Sequence, residues 1–208
     1  MYFPDFQPYQ ATIHKQRYPK AGQTNPTVTL GIADAATGRT TCMSLPSTAY
    51  EYIVRVNWLP GSDRIGVQTI NQAQTEVTLS LVDRSTGTAT TLLKESDDAW
   101  MHHYEPLFSK DGKFFVWVSE RSGYTHAYRY TMTGQLINQI TTGEWSITPF
   151  GEYSNGESPL RALDEKNVVL YFTASEKSPL ERHLYRVNLD GSGLKRLSTE
   201  EGPPYPAL

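Results

Sequence analysis

The chain has 208 residues, enough for one sizeable core or for a row of small repeated ones. Its 19 basic and 22 acidic residues give a net charge of −3, and the basic ones are scattered, so there is no electrostatic footprint for a nucleic-acid partner. No apolar run approaches the roughly 20 residues that span a bilayer, Cys42 alone cannot make an intrachain disulfide, and Met1 to Asp5 lack the basic and apolar regions of a signal peptide, so any export signal is expected outside these residues.

Aromatic residues make up 12% of the chain, and Thr and Val recur in short runs split by Gly, Pro, Asp and Ser, which suits pleated strands and tight turns. In chain order, an alternating strand over Thr27–Ile32 precedes the turn Asp34–Gly38 and a strand over Arg39–Leu45. Trp58 then leads through Pro60–Asp63 into a hydrophobic strand from Arg64, followed by an alternating strand Glu76–Val82, the turn Asp83–Gly87 and a strand Thr88–Leu93. The same order returns as Phe108, the turn Ser109–Gly112, a strand to Trp117, a strand His126–Tyr130, the turn Thr131–Gly134 and a strand Gln135–Ile140. It returns again as Leu163, a strand Val168–Leu170, a strand His183–Val187, the turn Asp190–Gly193 and a strand Leu194–Leu197.

Turn glycines 38, 87, 134 and 191 are thus 49, 47 and 57 residues apart, and Trp58, Phe108 and Leu163 are 50 and 55 apart. Two independent landmarks share a period close to the roughly 40 to 50 residues of a four-stranded propeller blade. A β-sandwich explains short strands and frequent turns but not a repeated order at one spacing. The predicted fold is therefore all-β: a partial β-propeller of about 3.5 to 4 four-stranded antiparallel blades. Residues 1–26 are expected as an N-terminal segment and linker, 27–47, 48–95, 96–143 and 144–200 as successive units, and 203–208 as a tail. The first unit carries only its outer half, so the run is expected to be part of a larger ring, with open edges that invite self-association or covering by the tails.

Several stretches carry a resemblance. Arg17-Tyr18-Pro19-Lys20-Ala21-Gly22-Gln23-Thr24-Asn25-Pro26 resembles the linker before a middle blade in the dipeptidyl peptidase IV branch of the prolyl oligopeptidase family. Trp117 to His126, Thr141 to Trp145, and Leu184-Tyr185-Arg186 with its Asp190-Gly191 turn are similar to the same propeller in the same order. The resemblance implies an eight-bladed ring capping an α/β-hydrolase domain of the parent chain, and a serine exopeptidase acting on peptides with Pro or Ala in second position. It also implies export in bacteria. The family's serine lies in a Gly-Trp-Ser-Tyr-Gly elbow. Gly151-Glu152-Tyr153-Ser154-Asn155-Gly156 has one residue too many before its serine and reads as a turn, so no catalytic residue is assigned. The glutamate pair that grips the substrate's amino group is implied for a segment before this chain; Asp97-Asp98 and Glu200-Glu201 read as solvated turns.

The resemblance places the loop after Trp100 near an outer part of the substrate cleft, which makes His102, His103 and Tyr104 candidate cleft-lining residues. Read without it, the two histidines alternate across an extended segment, one packed and one wet. Adjacent histidines on opposite faces are poorly placed to share a metal, so none is expected. Gly191-Ser192-Gly193 lacks the third glycine and the following helix of a dinucleotide fingerprint, and no cofactor is expected. Trp58, Trp100, Trp117 and Trp145 fall near the blade landmarks and are expected in the core.

Overall fold

The computed structural model of the chain describes residues 2–5, 9, 12–15, 17–45, 50–149 and 158–198. Among them every regular element is a strand, and no helix is long and apolar enough to cross a membrane. Five antiparallel sheets follow one another: β1 (Tyr2–Asp5) with β2 (Thr12–Lys15), β3 (Gly31–Ala33) with β4 (Thr40–Cys42), and three four-stranded sheets. These are β5 (Tyr52–Trp58), β6 (Arg64–Ile70), β7 (Glu76–Asp83) and β8 (Ala89–Ser96); β9 (Leu107–Phe108), β10 (Phe114–Ser119), β11 (His126–Thr131) and β12 (Leu136–Gln139); and β13 (Leu160–Asp164), β14 (Val169–Ala174), β15 (His183–Asn188) and β16 (Lys195–Arg196). Each of the three is a simple up-and-down meander, the blade plan of a partial propeller.

The second strand of each blade packs on both faces and so reads as a mainly apolar run: all six residues of β10, Phe-Phe-Val-Trp-Val-Ser, are buried. Outer strand β8 instead alternates exposed with covered positions. Side chains on facing sheets meet in three cores. Met43, Leu45, Ile65, Val67 and Val82 join β3–β4 to the first four-stranded sheet. Leu79, Leu81, Phe115 and Tyr130 anchor the next interface, and Val118, Ile140, Leu170, Phe172 and Tyr185 the last.

The turn glycines have a common physical cause. Gly38, Gly87, Gly134 and Gly191 have φ of 70°, 72°, 80° and 92°, the left-handed region that glycine enters without a Cβ penalty. Three of them also abut the preceding sheet: a Cβ would meet Cys42 O at 2.4 Å from Gly87, Leu92 O at 2.0 Å from Gly134 and Ile140 O at 3.0 Å from Gly191, whereas Gly38 has nothing within 4 Å. Asp34 and Asp83, which open two of these turns, accept N–H bonds two and three residues on; Asp190 accepts the Ser192 N–H, and the Thr131 hydroxyl takes the carboxylate's place in the remaining turn. Asp83 takes Ser85 and Thr86 at 2.9 and 2.8 Å, and hydrogen bonds led by the Ser85 hydroxyl hold its carboxyl at about 2.

Two expectations need correction. Residues 27–30 are not strand: β4 pairs only up to Cys42, and Ser44 then bridges in parallel to Thr88 of the next sheet, so the ladder beside β3 ends. Nor are all four tryptophans core. Trp117 is buried, but Trp58 and Trp100 are 52% and 55% exposed, because one ends a first strand whose preceding neighbour has two strands only, and the other lies on a connection. The β1–β2 hairpin was not legible in the sequence pattern. The turn at 151–156, Glu200-Glu201 and the tail lie outside the described residues.

Candidate functional site

Residues 97–106 form an extended strap from β8 to β9, at the same end of the blades as the β10–β11 and β14–β15 turns. It is tied down at several points. Asp97 Oδ1 accepts the Ala99 N–H at 2.8 Å, the Met101 N–H donates to Gln74 O at 2.9 Å, and Trp100 Nε1–H donates to Gln74 Oε1 at 2.7 Å. Further on, the buried Gln68 donates from Nε2 to Tyr104 O at 2.9 Å.

Alternate residues of an extended backbone share a face, and here that produces a ladder of three rings. Trp100 meets His102 edge-on at 4.8 Å between centroids, and His102 stacks on Tyr104 at 5.9 Å and 16°. His102 is exposed; Tyr104 roots the ladder, half-buried against the last core, its phenol pushed up to about 12 by burial and then by the Glu120 charge. His103 points the other way. It is half-buried, with Nδ1 unpartnered among the described residues, and burial, followed by the Arg55 charge, holds its imidazole below the ordinary 6.5.

Beside the ladder lies a cleft of about 100 Å³, with Asp97, Trp100 and His102 along one wall and Ser119, Glu120 and Arg121 along the other. Glu95, near the end of β8, ties its floor to the next blade. Its carboxylate accepts Trp117 Nε1–H at 2.6 Å, Arg121 Nη2–H at 3.0 Å and the Ser119 hydroxyl, while the guanidinium lies 4.7 Å over the Tyr128 ring and donates to the Tyr130 hydroxyl. The ion pair is thereby satisfied in place, and the strap leaves β8 from a fixed point. The sequence reading missed Trp100 as a ladder member and missed the Glu95–Arg121 clamp. Its only signal was the position of Arg121 inside the Ser119-Glu120-Arg121 string.

One constellation superficially matches a nucleophile with its base. Ser198 Oγ lies 3.0 Å from His183 Nδ1, and His183 Nε2 lies 2.6 Å from Glu181 Oε2. The preceding blade carries the same arrangement: Thr141 Oγ1 is 3.0 Å from His126 Nδ1, and His126 Nε2 is 3.0 Å from Gly143 O. In both, the hydroxyl also accepts the N–H of the residue after the histidine, Leu184 at 3.1 Å and Ala127 at 3.0 Å. Recurrence with Thr for Ser and a carbonyl for the carboxylate marks it as a clasp between the third strand and the segment leaving the fourth. No group of three or more His, Cys, Asp or Glu that could hold a metal occurs among the described residues.

Fold and strap together define an all-β propeller segment that presents an aromatic loop surface at one end. The family model described as the dipeptidyl peptidase IV (DPP IV) N-terminal region matches residues 1–207, and the chain belongs to that family. A probable dipeptidyl peptidase 4 of Aspergillus fumigatus is 28% identical over 182 residues, which cover 83% of this chain and 22% of that protein. The inactive dipeptidyl peptidase 10 of Mus musculus is 28% identical over 189 residues, 84% of this chain and 22% of the relative. The crystal structure of Porphyromonas gingivalis dipeptidyl peptidase 4 shares the fold, with a TM-score of 0.77 and 24% identity over 96% of this chain and 27% of that one. The chain therefore spans about a fifth to a quarter of the length of these relatives.

Proposed function

We propose that the chain is the propeller portion of a dipeptidyl peptidase IV-like serine exopeptidase, framing and gating the cleft through which peptides reach an α/β-hydrolase domain elsewhere in the parent protein, without catalysing cleavage itself. The observation that carries this reading is the Trp100–His102–Tyr104 ladder, fixed beside a cleft at the loop end of the blades. Stacked rings on an anchored strap offer an extended peptide a flat face with little rotamer freedom to lose. His103 lies on the opposite face of the strap from the ladder, half-buried and within the influence of the Arg55 charge.

Two measurements test the proposal. The isolated chain should give no turnover of a Gly-Pro reporter, and turnover that disappears in Ser198→Ala would turn the clasp into a catalytic group and sink the reading. In the parent, Trp100→Ala and His102→Ala should raise KM several-fold with kcat little changed, since a group that contacts substrate equally in ground and transition states acts on binding. Unchanged KM in both variants counts against the ladder as a substrate surface.

A second reading, a non-enzymatic propeller that binds proteins, draws support from the relative named as inactive, which matches at the same 28% identity as the first. The parent's full reading frame separates them: a serine elbow downstream supports the peptidase, and its absence supports the scaffold.

A further inference from the structure

Three carboxylates and one guanidinium line the cleft beside the ladder: Glu95, Asp97, Glu120 and Arg121. Arg121 is engaged within the protein, donating from Nε to the Ser119 hydroxyl at 2.9 Å, from Nη1 to the Tyr130 hydroxyl and from Nη2 to Glu95 at 3.0 Å. Glu95, its side chain only 11% exposed, closes that pair. The other two carboxylates stand on opposite walls with one printed hydrogen bond each. Asp97 Oδ1 accepts the Ala99 N–H at 2.8 Å, and Glu120 Oε1 accepts the Thr125 hydroxyl at 3.1 Å. Neither makes an ion pair among the described residues, so the cleft holds two negative charges in excess.

Shape and ring chemistry narrow the occupant. Trp100 is 55% exposed and held at its edge, where Nε1–H donates to Gln74. At about 100 Å³ the cleft is smaller than the roughly 150 Å³ cavity that accepts a benzene ring, so it admits the end of an unbranched chain and excludes an aromatic side chain. An apolar end would strip water from two carboxylates and return nothing. An ammonium on an alkyl stem satisfies both carboxylates and gains from the indole quadrupole as well. Carboxylates on separate walls suit that compact charge better than a planar guanidinium fork. The next blade lacks the arrangement. Ser119 pairs with His126 as Ala174 does with His183, so Ser175 holds the place of Glu120; its hydroxyl donates to Ser146 O at 3.2 Å, and Trp145 stacks inward on Phe172.

We propose that this cleft takes the side chain of a lysine in the bound peptide, with its stem along Trp100 and its ammonium between Asp97 and Glu120, and that these three residues set a preference for lysine-bearing peptides. The inference rests on reading the ladder as a peptide-facing surface. Asp97 and Glu120 act here as specificity-determining residues and take no part in bond cleavage.

A titration without turnover tests the cleft directly. The isotope-labelled 208-residue chain receives acetyl-Gly-X-Gly-amide, with lysine, norleucine or glutamate at X, and the tryptophan indole N–H signals are followed by NMR; Trp100 is assigned by its loss in Trp100→Phe. Lysine should move the Trp100 signal with about tenfold tighter half-saturation than norleucine, glutamate should not move it, and added salt should shrink the difference. Asp97→Asn combined with Glu120→Gln keeps both accepting oxygens and should erase the preference. Equal response to lysine and norleucine, or a preference that survives the double variant, overturns the proposal. In the parent protein, Gly-Pro hexapeptides with lysine or norleucine at one later position at a time should show KM about tenfold lower for lysine at one position, with kcat little changed. Cleavage with no preference at any position overturns the proposal and leaves the peptidase reading intact. Absence of cleavage throughout counts against the peptidase reading, and the titration then decides the proposal by itself.

Discussion

Substituting the turn glycines separates two costs that usually arrive together. Gly134→Ala puts a Cβ on a residue at φ 80°, and that atom would stand 2.0 Å from Leu92 O. The left-handed conformation costs an alanine about 1–2 kcal/mol. A carbon in ordinary contact with a carbonyl oxygen stands about 3.3 Å away, so the turn or the β8 backbone must retreat by roughly 1 Å. Leu92 cannot swing aside, since it is buried and sits at the bulge where β8 slips register against Leu79 and Ser80. Overpacking of that kind costs about 1–3 kcal/mol, for a sum near 3 kcal/mol and a midpoint lowered by roughly 6–12 °C at this length. Gly38→Ala meets nothing within 4 Å and should lose only the conformational part, roughly 2–8 °C. Asparagine tolerates left-handed backbone but still carries a Cβ, so Gly38→Asn should be close to neutral and Gly134→Asn should not. Thermal melts of the four variants decide the matter. Equal losses at 38 and 134 refute the idea that the repeated glycine is required by the neighbouring sheet as well as by the turn.

Glu95→Gln leaves Arg121 without its counter-charge; because the guanidinium side chain is 35% exposed, the loss should be about 2 kcal/mol rather than the larger cost of breaking a fully buried pair. Urea melts check it, and a loss below 0.5 kcal/mol, as an order-of-magnitude threshold for an ordinary surface substitution, counts against the clamp. Burial depresses the imidazole of His126 below its ordinary 6.5, with the Gly143 carbonyl opposing, and His103 is shifted the same way. The unfolded chain therefore takes up these protons first: their contribution is complete above pH 6.5 and is lost as pH falls from there through the folded-state values. Urea midpoints between pH 7.5 and 5 should decline, and His126→Asn should decline less steeply; an unchanged slope rejects the assignment.

What the sequence displays well is whatever one blade repeats. Glycine recurs at the turns because each needs a residue without Cβ at φ near 80°, and a side-chain oxygen recurs at the first position, aspartate at 34, 83 and 190 and threonine at 131, because it accepts N–H groups of the turn. The runs at 64–70, 114–119 and 169–174 are mainly apolar because second strands are covered on both faces, and the polar residues Gln68, Thr69, Ser119 and Thr173 within them are buried as well. What it hides depends on a particular neighbour. Trp58 and Phe108 hold one place in the repeat, yet one is half in solvent and the other packed, a difference set by the strand count of the sheet before each.

The candidate site belongs to this second kind. Trp100, His102 and Tyr104 form a face only because Gln68 and Gln74, from another part of the chain, fix the strap in extended form. The alternation of His102 and His103 was readable from spacing alone, but Trp100 was read as core because it falls near a blade landmark, as do Trp58, which is exposed, and Trp117, which is buried. Serine and histidine show the converse error. Ser198, His183 and Glu181 in isolation resemble catalytic machinery, and only the copy one blade earlier, Thr141 with His126 and Gly143, reveals a bond that holds strands together. In a repeat protein, a side-chain cluster is a candidate for chemistry only where its counterpart in the next unit lacks it. The Trp100–His102–Tyr104 ladder meets that standard on the connection from β8 to β9, since the corresponding connection from β12 carries Gly143 and Trp145, which turn inward to His126 and Phe172.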